Sequence, residues 1–140
     1  MIVLVDTSAW SLAIRRNLEN LSEEQSSERE VLARLVEEGR VAMIGPVRQE
    51  LLSGIRNEFQ FQQVLEYLRR FDDAAIATED YEEAARIHNL CRARGVTGSA
   101  VDFLICAVAV RRNWIILTLD RDFERYAKHI PLSLLRAGDE

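Results

Sequence analysis

The sequence predicts an α/β fold: a single domain of 140 residues whose central, mainly parallel sheet is flanked by helices on both faces. Three observations carry this expectation. The runs Ile2-Val3-Leu4-Val5, Val41-Ala42-Met43-Ile44 and Trp114-Ile115-Ile116-Leu117-Thr118 are almost continuously apolar, as in strands buried on both faces, and do not alternate. Segments with apolar residues at helical spacing separate them, so strands and helices alternate along the chain. No linker, internal repeat or low-complexity tract divides residues 1–140, which read as one domain.

Taken in order, the first strand stops at Asp6, and Thr7-Ser8-Ala9 lead into a helix through Trp10 to Arg16. Asp6, Thr7 and Ser8 each offer an N-cap oxygen. Ser22-Glu23-Glu24-Gln25 has the pattern of a capping box, and opens a helix with Val31, Leu32, Leu35 and Val36 on its apolar side and Gly39 just past its end. After the second strand, Pro46 suits the first position of a short helix that carries Glu50 and closes by Gly54. Helix resumes from Asn57 to Arg70, with Phe61, Val64, Leu65 and Leu68 on one face. A brief strand at Ala74 to Ala77 precedes a helix from about Glu79 to Arg94, in which Ala84, Ile87, His88 and Cys91 share a face and His88 reads as a core-edge histidine. Ser99 then caps a helix to Arg112 in which every residue from Phe103 to Val110 is apolar, a helix through the core. The strand at 114–118, a short helix to about Ala127 and a last strand near Pro131 to Leu134 complete the chain.

Composition narrows the function classes. With 48% hydrophobic and 29% charged residues, and no apolar run near the ~20 residues that span a bilayer, the chain reads as soluble, and without a basic flank or small-residue cleavage site at its start it is expected in the cytoplasm. Cys91 and Cys106 form no C-x-x-C pair and read as reduced core thiols. A net charge of −5 argues against coating nucleic acid by bulk electrostatics, though not against catalysis on it. Among the 18 basic residues only Lys128 is a lysine, and the pairs Arg15/Arg16, Arg69/Arg70 and Arg111/Arg112 suit forked phosphate contacts or solvated helix faces.

The acids point to chemistry. In open parallel sheets, ligands bind outside the carboxyl ends of the strands, where strand ends and helix N-termini converge. Asp6 directly follows the first strand, Asp120 follows the strand at 114–118, Glu50 lies in the helix after the second strand, and Asp102 stands in the first turn of its helix. Three of them have an ordinary structural role open to them: a cap for Asp6, an exposed helix acid for Glu50, and the N3 position behind Ser99 for Asp102. Asp122 is either a fifth contributor or a helix cap. Four carboxylates on one edge repel unless protons or cations intervene, and hard divalent cations such as Mg²⁺ prefer carboxylate oxygens. Zinc would call for Cys and His ligands at a spacing absent here. A site of this kind suits phosphodiester hydrolysis.

The motifs Val5-Asp6-Thr7-Ser8, Glu50-Leu51-Leu52-Ser53-Gly54, Asp102 to Ala109 and Leu117-Thr118-Leu119-Asp120-Arg121-Asp122-Phe123 resemble, in order, the four acidic motifs of PIN-domain ribonucleases. The likeness is to the toxin component of VapBC-type toxin-antitoxin pairs and covers essentially the whole chain, with Cys106 standing where the family often has alanine. The resemblance implies that Asp6, Glu50, Asp102 and Asp120 are metal-binding acids, with Asp122 close by and Thr7 or Ser8 supplying a nearby hydroxyl. It further implies Mg²⁺- or Mn²⁺-dependent endonucleolytic cleavage of RNA, inhibition by a cognate antitoxin, and a homodimer. The alternative is a catalytically silent PIN-like binding or scaffold domain, whose sign would be a lost acid; none is lost here. A haloacid dehalogenase-like phosphatase would want a second aspartate where Ser8 stands, and a receiver domain a lysine better placed than Lys128. His88 and His129 belong to no Ser-His or Cys-His motif.

Overall fold

The computed structural model describes residues 1–14 and 21–135. Strands β1 (Val3–Val5), β2 (Val41–Ala42) and β3 (Ile115–Leu117) form one parallel sheet in the order β2-β1-β3. Val3 and Leu4 pair with Val41 and Ala42 on one side, and Val3, Leu4 and Val5 pair with Ile115, Ile116 and Leu117 on the other. All three side chains of the central strand are 0% exposed, which is why its sequence is apolar without alternation. The described residues also form seven helices: α1 (Thr7–Ala13), α2 (Glu23–Glu37), α3 (Gly45–Leu52), α4 (Glu58–Leu68), α5 (Thr78–Ala93), α6 (Ala100–Arg112) and α7 (Asp122–Ala127). Because the strands run in parallel, their carboxyl ends and the helix starts that follow them gather along one edge.

Local chemistry sets the helix ends. Ser22 and Gln25 form the full capping box of α2. At its other end Gly39 takes φ 67°, and the N–H groups of Gly39 and Arg40 return to the carbonyls of Val36 and Leu35 at 3.1 and 2.9 Å, closing a Schellman motif. Pro46 takes the second helical position of α3, one later than expected, because Ile44 serves as the N-cap. α1 begins at Thr7, earlier than its apolar residues indicate, since Asp6 caps it. Residues 15–20, with the Arg15/Arg16 pair, lie outside the described residues.

α6 is the core helix. Every side chain from Phe103 to Ala109 is buried, and both Cys91 and Cys106 are free thiols buried in the same core. His88 departs from expectation: it is exposed on α5 and stacks on Phe103 with ring centroids 5.0 Å apart.

Two expected strands are reduced to single bridges, for identifiable reasons. At 74–77 the only bridge is Met43 to Asp73, because the backbone beyond it is satisfied by side chains: the Ala75 carbonyl accepts from Arg112 at 2.6 Å and the Ala77 N–H donates to Asp80 at 2.8 Å. At 131–134 only Leu134 bridges Ile116, and Pro131 has no N–H with which to extend a ladder.

Asp80 is the structural residue that the sequence reading passed over. Its side chain is 0% exposed, and it accepts from Arg111 at 2.6 Å and Arg112 at 2.7 Å, joining the first turn of α5 to the last turn of α6. Burial by itself raises the pKa of this carboxyl, but the Ala77 N–H and the two guanidiniums outweigh it and hold the group below the ordinary carboxylate value. A carboxyl depressed in the folded state contributes stability that is present above its unfolded pKa and lost as the pH falls through its folded value. Asp80→Ala is therefore expected to cost about 3 kcal/mol in urea unfolding at neutral pH, since the part-exposed arginines recover some hydration. The stability gap between wild type and Asp80→Asn should hold down to about pH 4 and narrow below it. A gap independent of pH would refute the ionic clamp.

Candidate active site

Asp6 follows β1 and is both a cap and the centre of a site. Its backbone N–H donates to the Leu117 carbonyl at 2.9 Å, keeping it in register with the end of β3. The side chain is 5% exposed, and all its hydrogen bonds among the described residues fall on Oδ2. Oδ2 accepts the Ser8 hydroxyl at 2.8 Å, the Thr118 hydroxyl at 2.7 Å and, more weakly, the Ser8 N–H at 3.4 Å. An ionised carboxylate only accepts, which sets these directions, and the two hydroxyl oxygens lie 3.2 Å apart. The Leu119 N–H donates to Ser8 Oγ at 2.9 Å and the Asp120 N–H to Thr118 Oγ1 at 3.0 Å, and each hydroxyl gives its own proton to Asp6. Of the two hydroxyls that the resemblance offers, Ser8 bonds Asp6, while Thr7 Oγ1 is buried without a partner among the described residues.

Asp102 stands at N3 of α6. Ser99 Oγ accepts its backbone N–H at 3.0 Å, as the capping pattern requires, while its side-chain Oδ2 accepts the Tyr126 hydroxyl at 2.8 Å. Burial pushes the Asp102 carboxyl above the ordinary carboxylate value; the Tyr126 hydrogen bond pulls it back, and the charges of Asp6 and Asp120 add to the rise. That mutual repulsion places the three acids in one electrostatic neighbourhood.

Asp120 follows β3 by way of Thr118 and Leu119, and its Oδ1 accepts the Asp122 N–H at 2.9 Å, folding the chain into α7. Asp122 is the first residue of α7 and pairs loosely with Arg125 at 3.5 Å, so the helix-start role is met and its carboxylate remains half-exposed. Glu50 lies exposed on α3, whose N-terminus begins just after β2; no hydrogen bond or ion pair among the described residues ties it to the other four acids. α3 itself is held by Arg48, which donates to Asp73 at 2.9 Å, to the Leu68 carbonyl at 2.8 Å and to the Phe71 carbonyl.

The donor set fits a hard cation in chemistry. The candidate groups are carboxylate oxygens, and Oδ1 of Asp6, Oδ1 of Asp102 and Oδ2 of Asp120 have no protein partner among the described residues. Among the described residues no three His, Cys, Asp or Glu side chains stand close enough to enclose a metal ion as they are. Thiol chemistry is closed: burial raises the pKa of both Cys91 and Cys106, with Asp102 adding to the rise at Cys106. Sequence reasoning missed Tyr126 and Arg48, which act through long-range contacts; Thr118 was visible only as part of the Asp120 motif.

A sequence model of the PIN domain matches residues 3–129. No curated protein matches the chain by sequence. Among solved structures, the chain is similar to VapBC2 from Rickettsia felis, solved with a DNA fragment from their promoter, at TM-score 0.74 and 22% identity over 96% of this chain and 98% of that one. FitAcB from Neisseria gonorrhoeae gives 0.76 and 17% over 99% and 100%, and VapBC-5 from Mycobacterium tuberculosis, of the VapBC family of toxin-antitoxin systems, gives 0.66 and 18% over 97% and 99%. At these identities the structural likeness speaks for the fold. The matched stretch begins at the head of β1, ends just past α7 and includes Asp6, Glu50, Asp102, Asp120 and Asp122, and on it the chain belongs to the PIN domain family.

Proposed function

We propose that this chain is a divalent-cation-dependent endoribonuclease, the toxin of a toxin-antitoxin pair, with cellular RNA as substrate and a cognate antitoxin protein as inhibitor. The observation that supports this best is that Thr118 joins Asp6 to the Asp120 backbone at the strand ends while Asp102 feels the charge of both, with no arginine or lysine paired to any of the three among the described residues. A fold that assembles repelling carboxylates without a cationic partner suits a site completed by Mg²⁺ or Mn²⁺. PIN domains are in general nucleases that use divalent ions, which agrees with this reading. The antitoxin partner is supported by the similar solved structures, which are of VapBC systems, two of them with DNA. A homodimer belongs to the same reading. No helix among the described residues is long and apolar enough to cross a membrane.

In this reading Asp6, Asp102 and Asp120, together with Glu50 and Asp122, would be the acids that hold the cation. When bound, the ion supplies a water of lowered pKa and neutralises charge developing on the phosphoryl and leaving oxygens. The protein's part is orientation. Ser8 and Thr118 immobilise one oxygen of Asp6, and the Asp122 N–H does the same for Asp120, so each presents its other oxygen from a fixed carboxylate plane.

The purified chain, free of partner, should cut a total RNA pool at discrete positions with Mg²⁺ or Mn²⁺, and not with chelator. Calcium-supported turnover would count against the assignment. Asp102→Asn should lower cleavage by more than ~100-fold, beyond the losses typical of residues that only support ligands. Its melting temperature should equal or exceed that of wild type, because the exchange relieves repulsion. If the variant unfolds, Asp102 serves the fold. Thr118→Val should lower cleavage about 10- to 100-fold, since it frees Asp6 Oδ2 and strands the Asp120 N–H. Divalent-ion binding without any cleavage would favour the alternative, a catalytically silent PIN-like binding or scaffold domain.

A further inference from the structure

Among the described residues, the one polar contact of the most buried phenol is a site carboxylate. Tyr126, on α7, is 0% exposed, and its ring packs between Phe103 at 5.1 Å and Phe123 at 5.2 Å between centroids. For filling that space a phenylalanine would suffice, and a buried hydroxyl has to find a partner. Here the partner is Asp102 Oδ2, at 2.8 Å. The turn before α6 is shaped around this contact. A Cβ built at Gly98 would collide with the Tyr126 hydroxyl, and would lie 2.8 Å from Tyr126 Cζ and 2.9 Å from Phe103 Cζ. Gly98 is thus the opening through which the phenol reaches the carboxylate, since nothing in its own backbone conformation demands glycine.

Resting on the cation site proposed above, we infer that Tyr126 is the positioning residue that sets the carboxylate plane of Asp102 and ties it to the Asp120–Asp122 turn. Two features make the bond suited to this. It occupies Oδ2 and leaves Oδ1 without a protein partner among the described residues, the same one-oxygen arrangement that Ser8 and Thr118 impose on Asp6. It also comes from α7, four residues after Asp122, so a single hydrogen bond couples the positions of the third and fourth acidic motifs. A phenol ordinarily titrates at about pH 10, so the hydroxyl is a donor at neutral pH. Oriented donors of this kind stand behind many metal ligands, and their removal lowers metal affinity about 10- to 100-fold.

The test is Mn²⁺ titration of the full chain by calorimetry, with wild type, Tyr126→Phe and Asp102→Asn compared, and thermal unfolding of each in chelator. Tyr126→Phe keeps the ring and removes only the hydroxyl. Its Mn²⁺ affinity should fall about 10-fold or more while the protein remains folded, with a changed electron paramagnetic resonance spectrum of the bound Mn²⁺. Unchanged Mn²⁺ affinity in folded Tyr126→Phe, whatever its melting temperature, overturns the inference and assigns the phenol to packing alone. If wild type binds no Mn²⁺, or Asp102→Asn binds it equally well, the cation site itself fails and the inference falls with it. Gly98→Ala gives an independent arm: it crowds the hydroxyl without touching either partner's chemistry, and should weaken Mn²⁺ binding in the same direction as Tyr126→Phe.

Discussion

A carboxylate can end a fully buried strand only if at least one of its oxygens finds donors there, and the architecture around β1 follows from meeting that condition for Oδ2 of Asp6. One donor is local, from Ser8 in the first turn of α1, and one is distant, from Thr118 just beyond β3. The distant one depends on strand register. Val5 pairs with Leu117, so the residues that follow each strand stand side by side; a slip of one residue would carry Thr118 away and turn β3 over. Hydrogen bonds to a charged acceptor contribute roughly 1.5 to 3 kcal/mol each, enough to matter against a marginal total stability. The network therefore locks two strand ends together and fixes the edge of the sheet at the same point.

α6 unites support and chemistry in one element. Its middle is core, its start presents Asp102, and its end is anchored through Arg111 and Arg112 to the buried Asp80 of α5. The anchoring is ionic at one end, and the charge is left unneutralised at the other. Asp102 sits where burial and two neighbouring acids oppose its ionised form. A cation bound there would relieve that opposition, and any ligand that binds only the folded state stabilises it. The arginine pairs divide accordingly. Arg111 and Arg112 are committed to Asp80, while Arg70 lies over the rings of Tyr67 and Phe71, so neither pair is a bare phosphate clamp.

Much of the fold was legible because it is written locally. Continuous apolar runs mark strands covered on both faces, Ser22 with Gln25 marks a helix start, Gly39 a helix end, and Ser99 the start of α6. The short strands at 74–77 and 131–134 were misread, because strand propensity says nothing of which partner a backbone group will take, and here side chains or a proline intervened.

The sequence by itself determined the element order and the placing of four acids after strands or at helix starts, since those depend on residue type and spacing within a few positions. Only the tertiary structure decided which groups hold those acids. Thr118 reaches Asp6 across 112 positions and Tyr126 reaches Asp102 across 24, while Asp80 meets two arginines more than 30 residues away. It also left Glu50 on the exposed side of α3, without a contact to the other acids among the described residues. Hydrogen bonds act over about 3 Å, and chain separation carries no information at that scale until packing has closed the loops between the partners.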